Sequence, residues 1–240
     1  MAGLDNTDVE LDVLYEFNDF ADRLPGWAAH TASFLGETGL LAGLALLLGV
    51  AWLLVRRRPD APTAVAGVLW AGLAACVTWL VNLPIRDFVA RPRPFVDHPD
   101  IDPLVDGKTG YSFVSDHAGV AMAIAVALFL VHRTLGVVAF ALALCQGLGR
   151  VLVGVHYPTD VIGGFALGTA SALLLAPAAM AVLPPLVRAS SRTRLLGWIA
   201  RPTEPAGVAG EAGVAEAESA GQRPGGRPER RPATDPGLAA

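Results

Sequence analysis

Residues 113–131 read FVSDHAGVAMAIAVALFLV. From Ala118 to Val131 nothing is charged or polar, so a helix here is apolar on every face and needs a large protein interior or a lipid bilayer around it. The rest of the chain decides between the two. Of 240 residues, 53% are hydrophobic and 17% charged, with mean hydropathy +0.47; a soluble domain carries about 25% charged residues. Similar apolar runs occur at Phe34–Val55, Pro62–Pro84, Leu135–Leu148 and Val161–Val187, and about 20 apolar residues suffice to cross a bilayer. The expected fold is all-α, a polytopic membrane helix bundle of about five transmembrane helices. The fourth run is short and joined to the third by His132–Thr134. The two form a helical hairpin if both span, and the alternative is a re-entrant fourth segment.

Arg56, Arg57 and Arg58 set the first turn on the cytoplasmic side, because cytoplasmic loops hold the excess of basic residues. Alternation then puts Arg133 and the Arg188–Arg201 stretch inside, and the N-terminus, the 85–112 loop and the 149–160 loop outside. Those outer loops still hold Arg86, Arg91, Arg93, Lys108 and Arg150, bases on the wrong side that need a local reason. Before the first span, Leu11, Leu14, Phe17, Ala21 and Leu24 recur at helical spacing opposite Asp12, Glu16, Asp19 and Asp22, which predicts an amphipathic interfacial helix ended by Pro25–Gly26. No basic stretch precedes an apolar run there, so a cleaved signal peptide is not expected. Beyond Arg201 the chain turns to Pro, Gly, Ala, Glu and Arg without an aromatic residue, a composition that predicts a disordered cytoplasmic tail. The expected organisation is an interfacial segment at 1–33, a membrane domain at 34–187, and a basic juxtamembrane stretch with its tail at 188–240. Cys76 and Cys145 lie in apolar runs and act as small hydrophobes rather than a disulfide framework.

A net charge of -4 argues against a nucleic-acid partner and at first against any anionic substrate. Dividing the chain reverses the second point. Residues 1–23 hold seven acids and one arginine, and residues 202–240 hold six acids and four arginines, which leaves 13 bases against 9 acids between them.

Three clusters sit at span ends on the predicted outer side. Arg86, Arg91 and Arg93 fall within eight positions after the second span. The planar guanidinium fork meets two phosphate oxygens at once, although membrane-surface anchoring would use arginine too. Ser115-Asp116-His117 opens the third span, with Ser115 placed as its N-cap and free amides facing an anion. His117 there is a proton donor to a leaving oxygen, or an incidental histidine on a capped helix. Arg150-x5-His156-x3-Asp160 leads into the fifth span. A carboxylate bonded to one imidazole nitrogen would leave the other nucleophilic, although a lone His-x3-Asp also serves as a structural hydrogen bond. Coincidence on one face favours chemistry. His117, Asp116, His156 and Asp160 could alternatively hold a metal ion, but the arginines repel a divalent cation and suit a phosphoryl group. Phosphoryl transfer with no bound metal and no cofactor is expected.

In combination these stretches resemble the type 2 phosphatidic acid phosphatase (PAP2) superfamily, which shares its site with vanadium haloperoxidases. The family motifs Lys-x6-Arg-Pro, Pro-Ser-Gly-His and Ser-Arg-x5-His-x3-Asp read here as Arg86-x6-Arg93-Pro94, Val114-Ser115-Asp116-His117 and Gly149-Arg150-x5-His156-x3-Asp160. Arg-Pro-Arg-Pro-Phe, Ser-Asp-His and Tyr15-Glu16-Phe17 look most like its bacterial undecaprenyl-diphosphatase branch. The resemblance implies a PAP2/haloperoxidase-like helical core and hydrolysis of a lipid phosphate at the outer face of a bacterial plasma membrane. It implies His156 as nucleophile, Asp160 as its orienting carboxylate and His117 as acid. Arg86, Arg93, Arg150, Ser115 and Asp116 then form the phosphate-binding set, and the partners are the bilayer and an isoprenoid or glycerolipid phosphate. Arg86 stands where the motif has Lys and keeps the charge; Val114 where it has Pro, Asp116 where it has Gly, and Gly149 where it has Ser alter the anion cradle, and all four leave nucleophile and acid intact. A scaffold that binds lipid without chemistry is the rival of another class, and it has no use for an acid and a nucleophile together. Gly164-x3-Gly168 predicts close helix packing, within one chain or between two.

Overall fold

Helix α1, Asp8–Asp22, begins where Thr7 Oγ1 accepts from the Glu10 amide at 3.3 Å, and Asp8 and Glu10 in its first turn suit the positive end of the helix dipole. Leu14 and Ala21 are buried along the predicted face. The structure, a computed structural model, describes residues 7–105 and 107–200; the predicted tail from residue 202 lies outside the described residues. Among those described, helices are the only regular elements.

The first long helical stretch runs from Gly26 to Val55 as α2 (Gly26–Phe34), a π-helical turn (Leu35–Gly39) and α3 (Leu40–Val55). It begins before the expected Phe34. The polar residues that hid its start, Thr31 and Ser33, return their hydroxyls to the carbonyls of Trp27 and Ala29 at 2.8 and 2.9 Å, so they cost the helix little. Helix α4, Ala61–Val89, continues past Pro84 and carries Arg86 on its last turn instead of in a loop; Ala90, at φ 51°, ends it. A single turn, α5 (Pro94–Asp97), follows.

The third and fourth runs exchange their expected lengths. Helix α6, Asp116–Val131, has 16 residues, whereas α7, Arg133–Leu152, has 20, because Gly149 and Arg150 extend it into the outer motif. One residue, His132, separates the two, and its Nδ1 accepts from the Leu135 amide at 3.4 Å. The fifth run is broken. Helices α8 (Pro158–Leu174) and α9 (Ala176–Ser191) meet at a 53° bend, where Pro177 in the first turn of α9 lacks an N–H and excludes the preceding carbonyl. Three of the helical stretches are long and apolar enough to cross a membrane, or four with the bent pair taken as one span; α6 is an apolar helix below that length. Phe88, Trp27 and Leu46 are 90%, 75% and 72% exposed, which suits a surface solvated by hydrocarbon and would be a liability in water.

Helix α6 is the axis of the bundle, packed against α4, α7 and α8. Ala118, Ala121, Ala123, Ala125 and Ala127 are all buried along it, small side chains that admit neighbouring backbones. The closest approach is to α8. A Cβ on Gly164 would stand 2.7 Å from the Ser115 carbonyl oxygen, and one on Gly168 only 2.2 Å from that of Gly119. The Gly-x3-Gly contact is therefore made inside one chain, and it brings the start of α8 beside the start of α6.

Candidate active site

His156 lies in the short turn between α7 and α8 and is 4% exposed. Its Nδ1 stands 2.9 Å from the carbonyl oxygen of Ser112. A carbonyl only accepts, so Nδ1 carries the proton and Nε2 keeps the lone pair. The expected orienting partner, Asp160, lies 3.6 Å from Nδ1. Its carboxylate is engaged elsewhere, accepting from the Tyr157 amide at 2.9 Å, as a residue in the first turn of α8 does, and from Arg91 at 2.7 Å. The Ser112 carbonyl thus fixes the ring, and Asp160 contributes a buried negative charge beside it. Burial pushes the His156 imidazole below its ordinary pKa; Asp160 opposes this, while Arg150 and Arg93 add to it.

Arg91 was read from the sequence only as one base in a cluster, and Glu10 only as part of an acidic terminus. The structure joins them. Arg91 donates to Glu10 at 2.9 Å, to Asp160 at 2.7 Å and to Thr159 Oγ1 at 2.7 Å, and its guanidinium lies 3.8 Å from the centre of the Tyr157 ring. Glu10 also accepts from the Thr159 amide at 3.1 Å, so α1 caps the first turn of α8 from outside. Both members of the Arg91–Glu10 pair are nearly fully buried. Breaking such a pair by removing one partner typically costs about 3–5 kcal/mol. The overlooked signal was positional: Glu10 lies four residues before Leu14, on the buried face of α1.

At the start of α6, Ser115 is the N-cap, its Oγ 3.5 Å from the Ala118 amide. The Asp116 carboxylate is occupied by protein donors. It pairs with Arg86 at 2.8 Å and accepts from Asn82 at 2.6 Å, so it positions the guanidinium. Arg93, 7% exposed, donates to the carbonyls of Val155 and Thr109 at 3.0 and 3.4 Å. Arg86, Arg150, Asp116 and Asp160 all lie within electrostatic range of it. Arg150, 1% exposed, donates to the Gly36 carbonyl at 3.1 Å and pairs with Glu37. His117 Nε2 lies 3.1 Å from the Glu37 carbonyl oxygen, and Lys108 pairs with the Glu37 carboxylate.

All eight sequence-derived residues therefore gather at one end of the bundle, where α4 ends and α6 and α8 begin. Glu37, Lys108, Ser112, Arg91 and Glu10 join them. Among the described residues, no group of three or more His, Cys, Asp or Glu side chains is arranged to hold a metal ion. The Nε–H groups of Arg93 and Arg150 are buried without an acceptor, which is costly in a site lacking an anion. What converges here is cationic donors around one imidazole, an arrangement suited to an oxyanion.

The chain is similar to known proteins in both sequence and fold. Undecaprenyl-diphosphatase BcrC of Bacillus subtilis is 32% identical over 130 residues, 54% of this chain and 64% of that protein. YbjG of Escherichia coli K12 is 30% identical over 168 residues, 69% of this chain and 79% of that protein. Against the Bacillus relatives the matched region spans between 53% and 65% of their length. In fold, the chain superposes on the crystal structure of a transmembrane PAP2 type phosphatidylglycerolphosphate phosphatase from Bacillus subtilis with TM-score 0.53 at 23% identity, covering 73% of this chain and 89% of that one. The family model described as PAP2 superfamily matches residues 67–182, from the second turn of α4 to the middle of α9. That interval contains both histidines and all three motif arginines, and YbjG extends the match over most of its own length, so the chain belongs to the PAP2 superfamily.

Proposed function

We propose that this protein is a membrane lipid diphosphate phosphatase whose preferred substrate is undecaprenyl diphosphate, released as undecaprenyl phosphate and inorganic phosphate. The observation that carries the reading is His156, with Nδ1 held by a carbonyl, Nε2 left with its lone pair, and Arg93 and Arg150 within electrostatic range of the ring. Nε2 attacks the terminal phosphorus in line, the bond to the bridging oxygen breaks, and His117 gives that oxygen a proton. Water then attacks the phosphohistidine with His117 as base, returning His156 and free phosphate. Charge on the transferring group is spread over its oxygens, so preset guanidinium groups do much of the work. Asp160, itself held by Arg91 and the Tyr157 amide, stabilises the His156 cation that forms on phosphorylation.

An apolar groove beside the site supports a lipid substrate. It measures about 380 Å³ and runs along Phe17, Leu35, Gly36, Leu40, Leu148 and Leu152, and the Gly36 carbonyl at its edge accepts from Arg150. Gly149, where the family motif has Ser, suits this wall: a Cβ there would already stand 3.4 Å from the Gly36 backbone. The site end faces the extracytoplasmic side in this reading, because Arg56–Arg58, Arg133 and Arg188 mark the opposite helix ends.

Purified protein in detergent should release phosphate from undecaprenyl diphosphate with kcat/KM at least about tenfold above phosphatidylglycerol phosphate and phosphatidic acid, a ratio of ordinary pocket discrimination. Equal rates across the three would replace the isoprenoid preference with a broad lipid phosphatase, and no release from any would remove the activity. The pH profile supplies a second prediction. A nucleophile with depressed pKa stays neutral as pH falls through the ordinary histidine value of 6.5, so the acid limb of kcat/KM should lie below pH 6.5. A limb at or above that value would assign nucleophilic attack to a less buried group.

A further inference from the structure

Glu37 belongs to none of the three motifs, yet its π-helical turn touches the site repeatedly. The Gly36 carbonyl accepts from Arg150 at 3.1 Å and from Gln146 at 2.6 Å, and the Glu37 carbonyl faces His117 Nε2 at 3.1 Å. The Glu37 carboxylate itself pairs with both Arg150 and Lys108. π turns displace backbone carbonyls from the regular ladder and recur at functional sites for that reason. Here the turn delivers two carbonyls and a carboxylate to the side chains of Arg150, Gln146, His117 and Lys108. Arg150 is 1% exposed and Glu37 21%, so the acid covers the buried base from the open side.

We infer that Glu37 is a specificity-determining residue: its carboxylate occupies Arg150 and Lys108 as an internal anion that an incoming phosphoryl group must displace. The inference rests on the reading of this site as a phosphate cradle. A carboxylate offers one negative charge, whereas a terminal phosphoryl group brings more charge and three oxygens to the same donors. A diphosphate ester therefore wins the exchange more readily than a monoester, and the carboxylate returns to Arg150 when phosphate leaves. Removing it should have two opposite effects. The empty protein loses the partner of a buried guanidinium and becomes less stable; an anion then gains two uncontested cations and binds more tightly.

The test uses inorganic phosphate and vanadate as probes of the full-length protein in detergent, read by thermal shift and by inhibition. Glu37→Gln keeps the volume and accepting oxygen. It should lower the melting temperature of the empty protein while tightening phosphate and vanadate by roughly three- to tenfold, the range of a partly exposed ion pair. KM for a phosphomonoester should fall more than KM for the diphosphate. Glu37→Asp, which withdraws the carboxylate by one methylene, should fall between parent and Gln, and it decides the matter if Gln does not fold. A purely structural role would lower stability and leave anion affinity unchanged or weaker, and that result in the folded variant overturns the inference. If the phosphate-cradle reading itself is wrong, phosphate and vanadate shift neither parent nor variant, and the inference falls with it.

Discussion

His156→Ala, purified and folded, is expected to release phosphate from undecaprenyl diphosphate at least about a thousandfold more slowly than the parent, the scale seen when a covalent nucleophile is lost and binding alone remains. The size follows from the geometry. The imidazole is buried, its Nδ1 is fixed on the Ser112 carbonyl, and a negative charge waits at 3.6 Å for the cation that phosphorylation creates. Folding should survive, because the alanine gives up one hydrogen bond to a carbonyl. His117→Ala should behave differently. An acid contributes about 10²–10⁴-fold when the leaving group needs a proton, so its loss should slow the burst of first product severely on the lipid diphosphate and little on p-nitrophenyl phosphate, whose phenolate leaves unaided, while the later hydrolysis slows alike for both. His156→Ala should be equally inactive on both. Near-normal turnover by His156→Ala on either substrate would end the proposed mechanism, and an equal slowing of the first-product burst for His117→Ala on both would take the acid role from His117.

The second large effect concerns packing. Gly168→Ala should destabilise the protein by about 3 kcal/mol, the upper end of ordinary overpacking. The added carbon would stand 2.2 Å from the Gly119 carbonyl oxygen and 3.0 Å from the Ala123 amide nitrogen. Both neighbours are backbone, so no side chain can step aside and α8 must retreat from α6. Retreat also carries the α8 start, with Asp160, away from the cradle at the start of α6, so activity should fall with stability. Gly43→Ala is the control. Nothing lies within 4 Å of a Cβ there, and alanine is the better helix former by roughly 1 kcal/mol. Thermal unfolding in detergent compares the two directly; if Gly168→Ala melts with Gly43→Ala, the close α6–α8 contact is not present in solution.

Much of this was legible because it is local or periodic. Alternation of apolar runs with turns predicts a helical membrane bundle, and motif spacing brings Arg93, His117, Arg150, His156 and Asp160 to one end. Segment lengths were less legible, since apolarity stops at polar residues while helices do not. Thr31 and Ser33 bond within their own helix, and Gly149 and Arg150 remain helical because their partners lie on the π turn of the first span. Partner choice was least legible. The acceptor for His156 is a backbone carbonyl 44 residues away, and Arg150 meets Glu37 across 113. No pattern encodes such a distance. An acid within an apolar run, such as Glu37, is nonetheless a visible sign of function in a membrane chain.

The link between Glu10, Arg91 and Asp160 also has a meaning for biosynthesis. Arg91 finds one carboxylate 81 residues earlier in the chain and the other 69 residues later. A nascent chain inserted through α4 therefore holds the guanidinium and its first acid long before the second has been translated. The charged centre closes only when α8 docks against the rest of the bundle, so a fragment ending before residue 160 leaves Arg91 and Glu10 without their third member.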